Sequence, residues 1–556
     1  IRRIIPAFAV MTLVVLLLSL VLLYPSEITD LAKSAIASSL SASNIFFWDS
    51  SGYFESPSMG KPLLHTWSLG VEEQFYLGFP LLVVTIGKVR KNLRPIIIGG
   101  LALISFGVSA YYVGHDPASA FYLPQSRVWE LLIGALLAEE IVPLPKPRLA
   151  REIIAGAGIL AIAAAIKLYD PSTPFPGVAA LLPCIGVAAV IMVGSAGETL
   201  TGRFLRFPPL VFIGLISYSL YLWHWPIIVY QRIGRIVDTG GPAIIDNALA
   251  VLLAFPIAYL SWRFIEQPFR RVNREARVAP VLGPLAASAL VCAIGVGIVA
   301  TRGLPERFSP HAIQLADYLD YDPADDMRMG VCFLDGKFQF TDFDRDVCMH
   351  RVNGHAAYML VGDSHAGDLY PGLEAVYGED ADILQATAAG CKPLLRDAGS
   401  ATPCSRMAQF IYDDYLRQNH VDLLIISAQW SAEDIDGIAR TLDWLRQRRI
   451  KAVLFGPAPE YNMRLPGLLA RSANQGDFAD VQSHLVREYG LLDREFRQTF
   501  VARPDAFYVS PYEALCKNDH CAMFAGDTPL FWDQSHLTRA GSIMLIERLR
   551  ETIPLP

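Results

Sequence analysis

His65-Thr66-Trp67-Ser68-Leu69-Gly70-Val71-Glu72-Glu73-Gln74-Phe75-Tyr76 opens an apolar run long enough to cross a bilayer, yet it carries two adjacent carboxylates. A carboxylate at membrane depth is costly unless paired or hydrated, so by default it marks a functional cavity. At helical spacing Ser68, Glu72 and Tyr76 share one face, while Glu73 points elsewhere. The competing reading puts both glutamates in the headgroup layer at the start of the helix.

Similar apolar runs recur near residues 4–23, 96–113, 127–142, 152–168, 177–194, 209–231, 244–263 and 278–300, which with 66–87 makes nine expected spans. A chain of 556 residues with 53% hydrophobic and only 18% charged residues is too apolar to be wholly soluble. The net charge of -7 hides an asymmetry. The first 300 or so residues are apolar with basic loops, and the remainder is mixed, acidic and globular in composition. No basic patch of the kind that binds nucleic acid stands out.

Lys and Arg fall in alternate loops: Arg2 and Arg3; Lys88, Arg90, Lys91 and Arg94; Lys146, Arg148 and Arg151; Arg203 and Arg206; then Arg263, Arg270, Arg271, Arg274 and Arg277. The positive-inside rule makes these loops cytoplasmic, and an odd number of spans puts everything after about residue 300 on the outer side. Cysteine usage points the same way. Cys184 and Cys292 lie in apolar spans, whereas Cys332, Cys348, Cys391, Cys404, Cys516 and Cys521 form three sequence-close couples in the C-terminal half. Three disulfides and an oxidising compartment follow, and no CxxC or neighbouring His pair supports a zinc site. In a bacterium that compartment is the periplasm, and the spans lie in the inner membrane.

Other spans also carry polar groups. Arg127 and Glu130 stand at i, i+3, close enough to pair. Tyr218, Tyr221 and His224 line one side of a helix that Pro226 can kink, although a His between two Trp also fits an interfacial anchor. The charges of Trp262-Arg263-Phe264-Ile265-Glu266-Gln267-Pro268-Phe269-Arg270-Arg271 read as interfacial.

Taken together and in this order, "RRIIP", "HTWSLGVEEQFYLGFPLL", "SRVWELLIGALLA", "ISYSLYLWHWPI" and "FIEQPFRR" resemble the acyltransferase-3 family of integral membrane acyltransferases, over residues 1–275. The resemblance implies transfer of acetyl or another short acyl group from cytoplasmic acetyl-CoA, a substrate rather than a bound cofactor, onto cell-envelope carbohydrate. It implies roles in acyl transfer for Glu72, Glu73, Arg127, Glu130, Tyr218, Tyr221 and His224. It also places a further span, bearing an Arg and a His, before Ile1, and makes Arg2 and Arg3 candidates for clamping the CoA phosphates.

Residues 276–355 are expected to hold the last span and an outer linker, and residues 356–556 a soluble domain. Ala356-Ala357-Tyr358-Met359-Leu360-Val361 reads as a buried strand breaking at Gly362-Asp363-Ser364-His365 into a helix, which is how an α/β sheet presents a nucleophile. "ADILQATAAG", "VDLLIISAQW" and "KAVLFGPAPE" read as further strands, with helices near 432–449 and 540–552 between and after them, so the expected domain is a three-layer α/β/α unit around a parallel sheet. The GDS motif and the DxxH of Asp533-Gln534-Ser535-His536, about 170 residues apart, resemble the SGNH (GDSL-like) hydrolases. That resemblance makes Ser364 the nucleophile, His536 its base and Asp533 the orienting carboxylate, with the N–H groups of Ser364 and Gly390 as an oxyanion hole. The family's Asn donor is replaced by Ser427-Ala428-Gln429-Trp430, so Gln429 is the substitute candidate. Trp430 and Trp532 are candidates for a sugar-stacking surface.

The combination implies an O-acetyltransferase acting on a lipid-linked or surface polysaccharide, first of all lipopolysaccharide O-antigen. Peptidoglycan or an exopolysaccharide as acceptor, a membrane-anchored acetylesterase, and a transporter with a fused esterase domain are the alternatives. No internal repeat between the halves of the membrane region supports the transporter.

Overall fold

The computed structural model describes residues 4–51, 60–88, 90–139, 147–170, 173–234, 243–270, 279–335, 338–352, 354–395, 403–503, 506–518 and 520–553. Arg2 and Arg3 lie outside these residues. The chain divides into two compact units, one covering Ile1–Leu23 and Glu27–Gly303, the other Tyr24–Ser26 and Leu304–Pro556.

In the first unit, eight helices among the described residues are long and apolar enough to cross a membrane: Ile5–Leu22, Leu64–Gly87, Arg94–His115, Arg148–Leu168, Gly177–Ser195, Pro208–Gln231, Ala248–Arg270 and Leu282–Ala300. The expected span at 127–142 is instead a helix of 11 residues, Val128–Ala138. At 1.5 Å per residue it is roughly 16 Å long, about half the hydrocarbon thickness of a bilayer. Span-counting parity therefore does not follow from these lengths alone. Arg148–Leu168 and the helix Leu181–Ala196 approach so closely that a Cβ added at Gly158 would stand 2.7 Å from the Gly186 carbonyl oxygen. Small residues at a crossing are how helices pack when lipid supplies no hydrophobic drive.

The second unit is built on a six-stranded, all-parallel sheet. Its strands are β1 (Phe333–Leu334), β2 (Ala356–Gly362), β3 (Ala381–Ala388), β4 (Leu423–Ser427), β5 (Ala452–Phe455) and β6 (Ala506–Val509), in the spatial order β1-β3-β2-β4-β5-β6. Alternate residues of β2 enter two different cores: Tyr358 and Leu360 join one, Ala357, Met359 and Val361 the other. A sheet covered on both faces favours apolar strands, which is why β2, β4 and β5 are legible as nearly continuous apolar runs, while β3 also buries Gln385 and Thr387. The strand order reverses between β2 and its two neighbours, and ligands of open α/β sheets bind outside the carboxyl ends of the strands at such a point.

The boundary expected at residue 356 moves. The segment from Leu304 belongs to the folded unit: it holds the short helices Pro310–Ala316 and Ala324–Met327, and it supplies edge strand β1, paired in parallel with Thr387 and Ala388 of β3. A two-residue strand carries no periodicity from which it can be read. All three cysteine couples form disulfides: Cys332–Cys348, Cys391–Cys404 and Cys516–Cys521. The first closes a loop beside β1 with a sequence separation of 16 residues. Replacing both Cys332 and Cys348 by Ser is expected to lower the unfolding free energy of the outer unit by about 3 kcal/mol, read by urea unfolding. An unchanged unfolding midpoint would contradict this.

Candidate active site of the outer unit and polar clusters of the membrane unit

β2 ends at Gly362, whose φ is +153°. A Cβ there would stand 1.8 Å from the Ser427 carbonyl oxygen and 2.6 Å from the Ala366 side chain, so only Gly lets the strand turn against β4. Asp363 then caps a single helical turn, Ser364–Gly367: its carboxylate accepts the N–H of His365 at 2.9 Å and, from the far side, the N–H of Gln429 at 2.9 Å. The turn is thereby fixed from two strands, and Ser364 emerges at its first position.

The last helix, Arg539–Leu549, is preceded by the loop that returns to this point. Asp533 organises that loop through Oδ1, which accepts the N–H groups of Ser535 (2.9 Å) and His536 (2.8 Å). Its Oδ2 lies 2.7 Å from His536 Nδ1, and His536 Nε2 lies 2.8 Å from Ser364 Oγ. In the neutral ring Nδ1–H donates to Asp533, which leaves Nε2 to accept the seryl proton. The structure thus brings together Ser364, His536 and Asp533 in the order the sequence motifs imply. Such a chain can deprotonate a serine and return the proton to a leaving group.

The electrostatics are those of a buried charge pair. Burial works to lower the pKa of His536, but the charge and hydrogen bond of Asp533, reinforced by Asp368 and Asp363, raise it to about 9. Burial alone would raise Asp533, and His536 together with the two N–H donors reverses this and holds it at about 2. Burial pushes Asp363 up to about 6 and drives the neighbouring His365 down to about 3.

The oxyanion candidates are placed differently from each other. Gly390 lies in the turn after β3 with φ +63°. Gln429 is exposed, and its Nε2 is engaged with Glu460 (3.2 Å) and the Tyr489 hydroxyl (3.4 Å). With its own N–H on Asp363, Gln429 as seen supports the nucleophile turn rather than donating into the site. Trp430 and Trp532 are both buried and offer no open stacking face. Trp430 Nε1 donates to the Phe455 carbonyl at 2.8 Å, and Trp532 stacks on the His536 ring at 5.3 Å.

In the membrane unit Tyr76 donates to Glu72 Oε1 at 2.5 Å, one helical turn away, and Ser41 donates to Glu73 Oε2 at 2.5 Å. Arg127 and Glu130 pair at 3.3 Å, and the guanidinium carbon lies 5.3 Å from the Trp67 ring centre and 5.4 Å from that of Phe175. The expected Tyr218, Tyr221 and His224 row fans out to separate partners. Tyr218 donates to the Ile4 carbonyl at 2.8 Å, Tyr221 bonds to Ser68 Oγ at 2.5 Å and to the His65 carbonyl, and His224 Nδ1 meets the Tyr221 carbonyl oxygen at 2.7 Å. The helix Pro208–Gly234 runs through Pro226. His65 is buried, 5.9 Å ring to ring from His224. Glu266 corrects the interfacial reading: it is 1% exposed, bonded to Ser219 (3.1 Å) and Arg270 (3.0 Å), and sits in a π-helical turn, Trp262–Glu266. Turns of this kind are frequent at functional positions.

Residues 1–263 match the family described as "Acyltransferase domain", and residues 332–551 match "SGNH domain (fused to AT3 domains)". The chain belongs to the acyltransferase-3 family with a fused SGNH domain. It is 34% identical over 286 residues to the peptidoglycan O-acetyltransferase OatA of Listeria monocytogenes, covering 49% of this chain and 45% of that protein. To the O-acetyltransferase OatA of Staphylococcus aureus (strain NCTC 8325) it is 28% identical over 286 residues, 50% of this chain and 47% of that protein. The chain thus spans about half the length of these curated relatives. The periplasmic domain of a Salmonella Paratyphi A lipopolysaccharide acetyltransferase is 21% identical with a TM-score of 0.37, covering 44% of this chain and 98% of that one.

Sequence motifs led to Ser364, Asp533 and His536 but passed over Asp363 and Asp368, both buried. The signal for Asp363 was present, since an Asp between a strand-ending Gly and a helical Ser is a capping position. If the three groups act as a unit, kcat/KM for an acetyl ester rises with pH toward about 9 as His536 loses its proton. Asp533→Asn is expected to lower that apparent pKa and cut kcat by about 10⁴-fold. A flat pH profile would contradict it. The raised histidine pKa also stabilises the fold fully below 6.5, its ordinary value, and that contribution is lost as pH climbs through about 9.

Proposed function

We propose that this protein is a membrane O-acetyltransferase that takes acetyl from cytoplasmic acetyl-CoA and delivers it to a sugar hydroxyl of a cell-envelope polysaccharide. The observation that carries this reading is the Ser364–His536–Asp533 chain in a unit joined to an acyltransferase-3 domain. A serine enzyme outside the cytoplasm has no soluble acetyl-CoA, and the membrane domain answers that lack. A protonated nucleophile of the membrane unit bonds to the acetyl carbon as the thioester C–S bond breaks, and the proton it gives up leaves on the CoA sulfur, so CoA departs as the thiol and the membrane unit carries the acetyl group. Arg2 and Arg3 are the candidates for holding the CoA phosphates.

In the outer unit His536 removes the Ser364 proton as the hydroxyl attacks the acetyl carbonyl; the bond from that carbon to its carrier breaks, His536 hands the proton to the departing carrier, and an acetyl-serine forms. An acceptor hydroxyl then gives its proton to His536, bonds to the acetyl carbon and releases Ser364. Excluding water at that second step favours transfer over hydrolysis. The SGNH domain is assigned to the periplasm and the membrane domain to the bacterial inner membrane, a placement supported by the three disulfides.

Lipopolysaccharide O-antigen is the proposed acceptor. Peptidoglycan is the second reading, favoured by the name of the Listeria relative. Mass spectrometry of both glycans from cells expressing the complete protein, Ser364→Ala, Glu72→Gln or an empty vector separates them. Acetylated O-antigen with the complete protein alone is the expected outcome. Acetyl groups on peptidoglycan only would move the acceptor, and unchanged acetylation of both would overturn the transferase reading.

A further inference from the structure

The nucleophile's helical turn and the histidine's loop meet at three successive levels. In the middle, Ser364 meets His536 at 2.8 Å. On one side His365 Nε2 lies 3.5 Å from Ser535 Oγ, and on the other Asp368 Oδ2 accepts the Leu537 N–H at 3.0 Å. His365 and Asp368, one and four residues after Ser364, thus face Ser535 and Leu537, the two residues that flank His536. The His365 and His536 rings lie 4.9 Å apart, centre to centre. His365, Asp368, Ser427 and Ser535 together line a small pocket of about 20 Å³, enough for one water with polar partners.

From this geometry, and on the reading that Ser364 and His536 carry the chemistry, we infer that Asp368 is a positioning residue: it ties the nucleophile's turn to the histidine's loop and so sets the Ser364–His536 distance. The segments are 172 residues apart in sequence and come from opposite ends of the unit, and the ladder of backbone bonds does not join them directly. The buried carboxylate of Asp368 accepts the N–H of the residue immediately after His536, so a displacement of that loop breaks its bond. Of the two flanking contacts, 3.5 Å at His365 is at the limit of a hydrogen bond, and the 3.0 Å bond of Asp368 is the one that fixes position. Burial raises the Asp368 pKa, against the charge of His536 and the Leu537 N–H. The side-chain carbonyl of Asn can accept the same N–H.

The test uses the purified full chain in detergent, hydrolysing p-nitrophenyl acetate, with Asp368→Ala, Asp368→Asn and Ser364→Ala beside the unmodified protein. Asp368→Ala is expected to lose about tenfold to a hundredfold in kcat with KM unchanged, the usual consequence of a misplaced reacting pair. Asp368→Asn is expected to stay within about threefold of the unmodified kcat, which a purely electrostatic role would not allow. Should Asp368→Ala fail to fold, the Asn variant decides alone: a kcat as low as that of Ser364→Ala overturns the tether. Activity lost in Ser364→Ala but intact in Asp368→Ala also overturns it, while leaving the serine mechanism standing. Hydrolysis unaffected by Ser364→Ala removes the serine mechanism, and the tether with it.

Discussion

One hydrogen-bond chain, Ser364 to His536 to Asp533, depends on bringing the first long strand of the outer unit against its last loop. Everything else in that unit answers the cost of doing so. Three carboxylates, those of Asp363, Asp368 and Asp533, are buried or nearly so around one imidazole, and desolvating them is expensive. Each is met by backbone N–H donors: Gln429 and His365 for Asp363, Leu537 for Asp368, Ser535 and His536 for Asp533. The parallel sheet supplies the rigid floor on which those donors are held, and Gly362 supplies the turn that no residue with a side chain could make.

The same principle governs the membrane unit by other means. There several polar groups pair between helices or within one turn: Glu73 with Ser41, Arg127 with Glu130 inside an aromatic surround, Glu266 with Ser219 and Arg270. Two modules bury charge, one in an apolar bundle and one at the mouth of a sheet, and the proposed acyl relay assigns one half-reaction to each.

Much of this was legible in the residues because the physics is local. Apolar runs bounded by turn residues mark β2, β4 and β5, and the strand-Gly-Asp-Ser break marks the nucleophile. What the residues do not reveal locally is set at a distance. β1 is two residues long, and β6, Ala-Phe-Tyr-Val, is partly exposed at the sheet edge, so neither carries a strong pattern. The Leu304–His355 segment reads as a connection because its order comes from a disulfide and from pairing with β3, contacts that leave no periodic trace. Glu266 looked interfacial because it follows an apolar span, and only the approach of Ser219 from another helix reveals it as buried. Trp430 and Trp532 were legible as aromatic residues beside the site, but not as buried ones, since burial depends on the layers that cover them.

The most direct test of the account is peptide mass spectrometry of Ser364 after membranes containing the complete protein are incubated with isotopically labelled acetyl-CoA and rapidly acid-quenched. Labelled acetyl on the Ser364 peptide, absent in Glu72→Gln and chased away when acceptor glycan is added, is the predicted result. Labelled glycan formed at full rate by Ser364→Ala protein would contradict the account, because acetyl would then reach the sugar without passing through the serine.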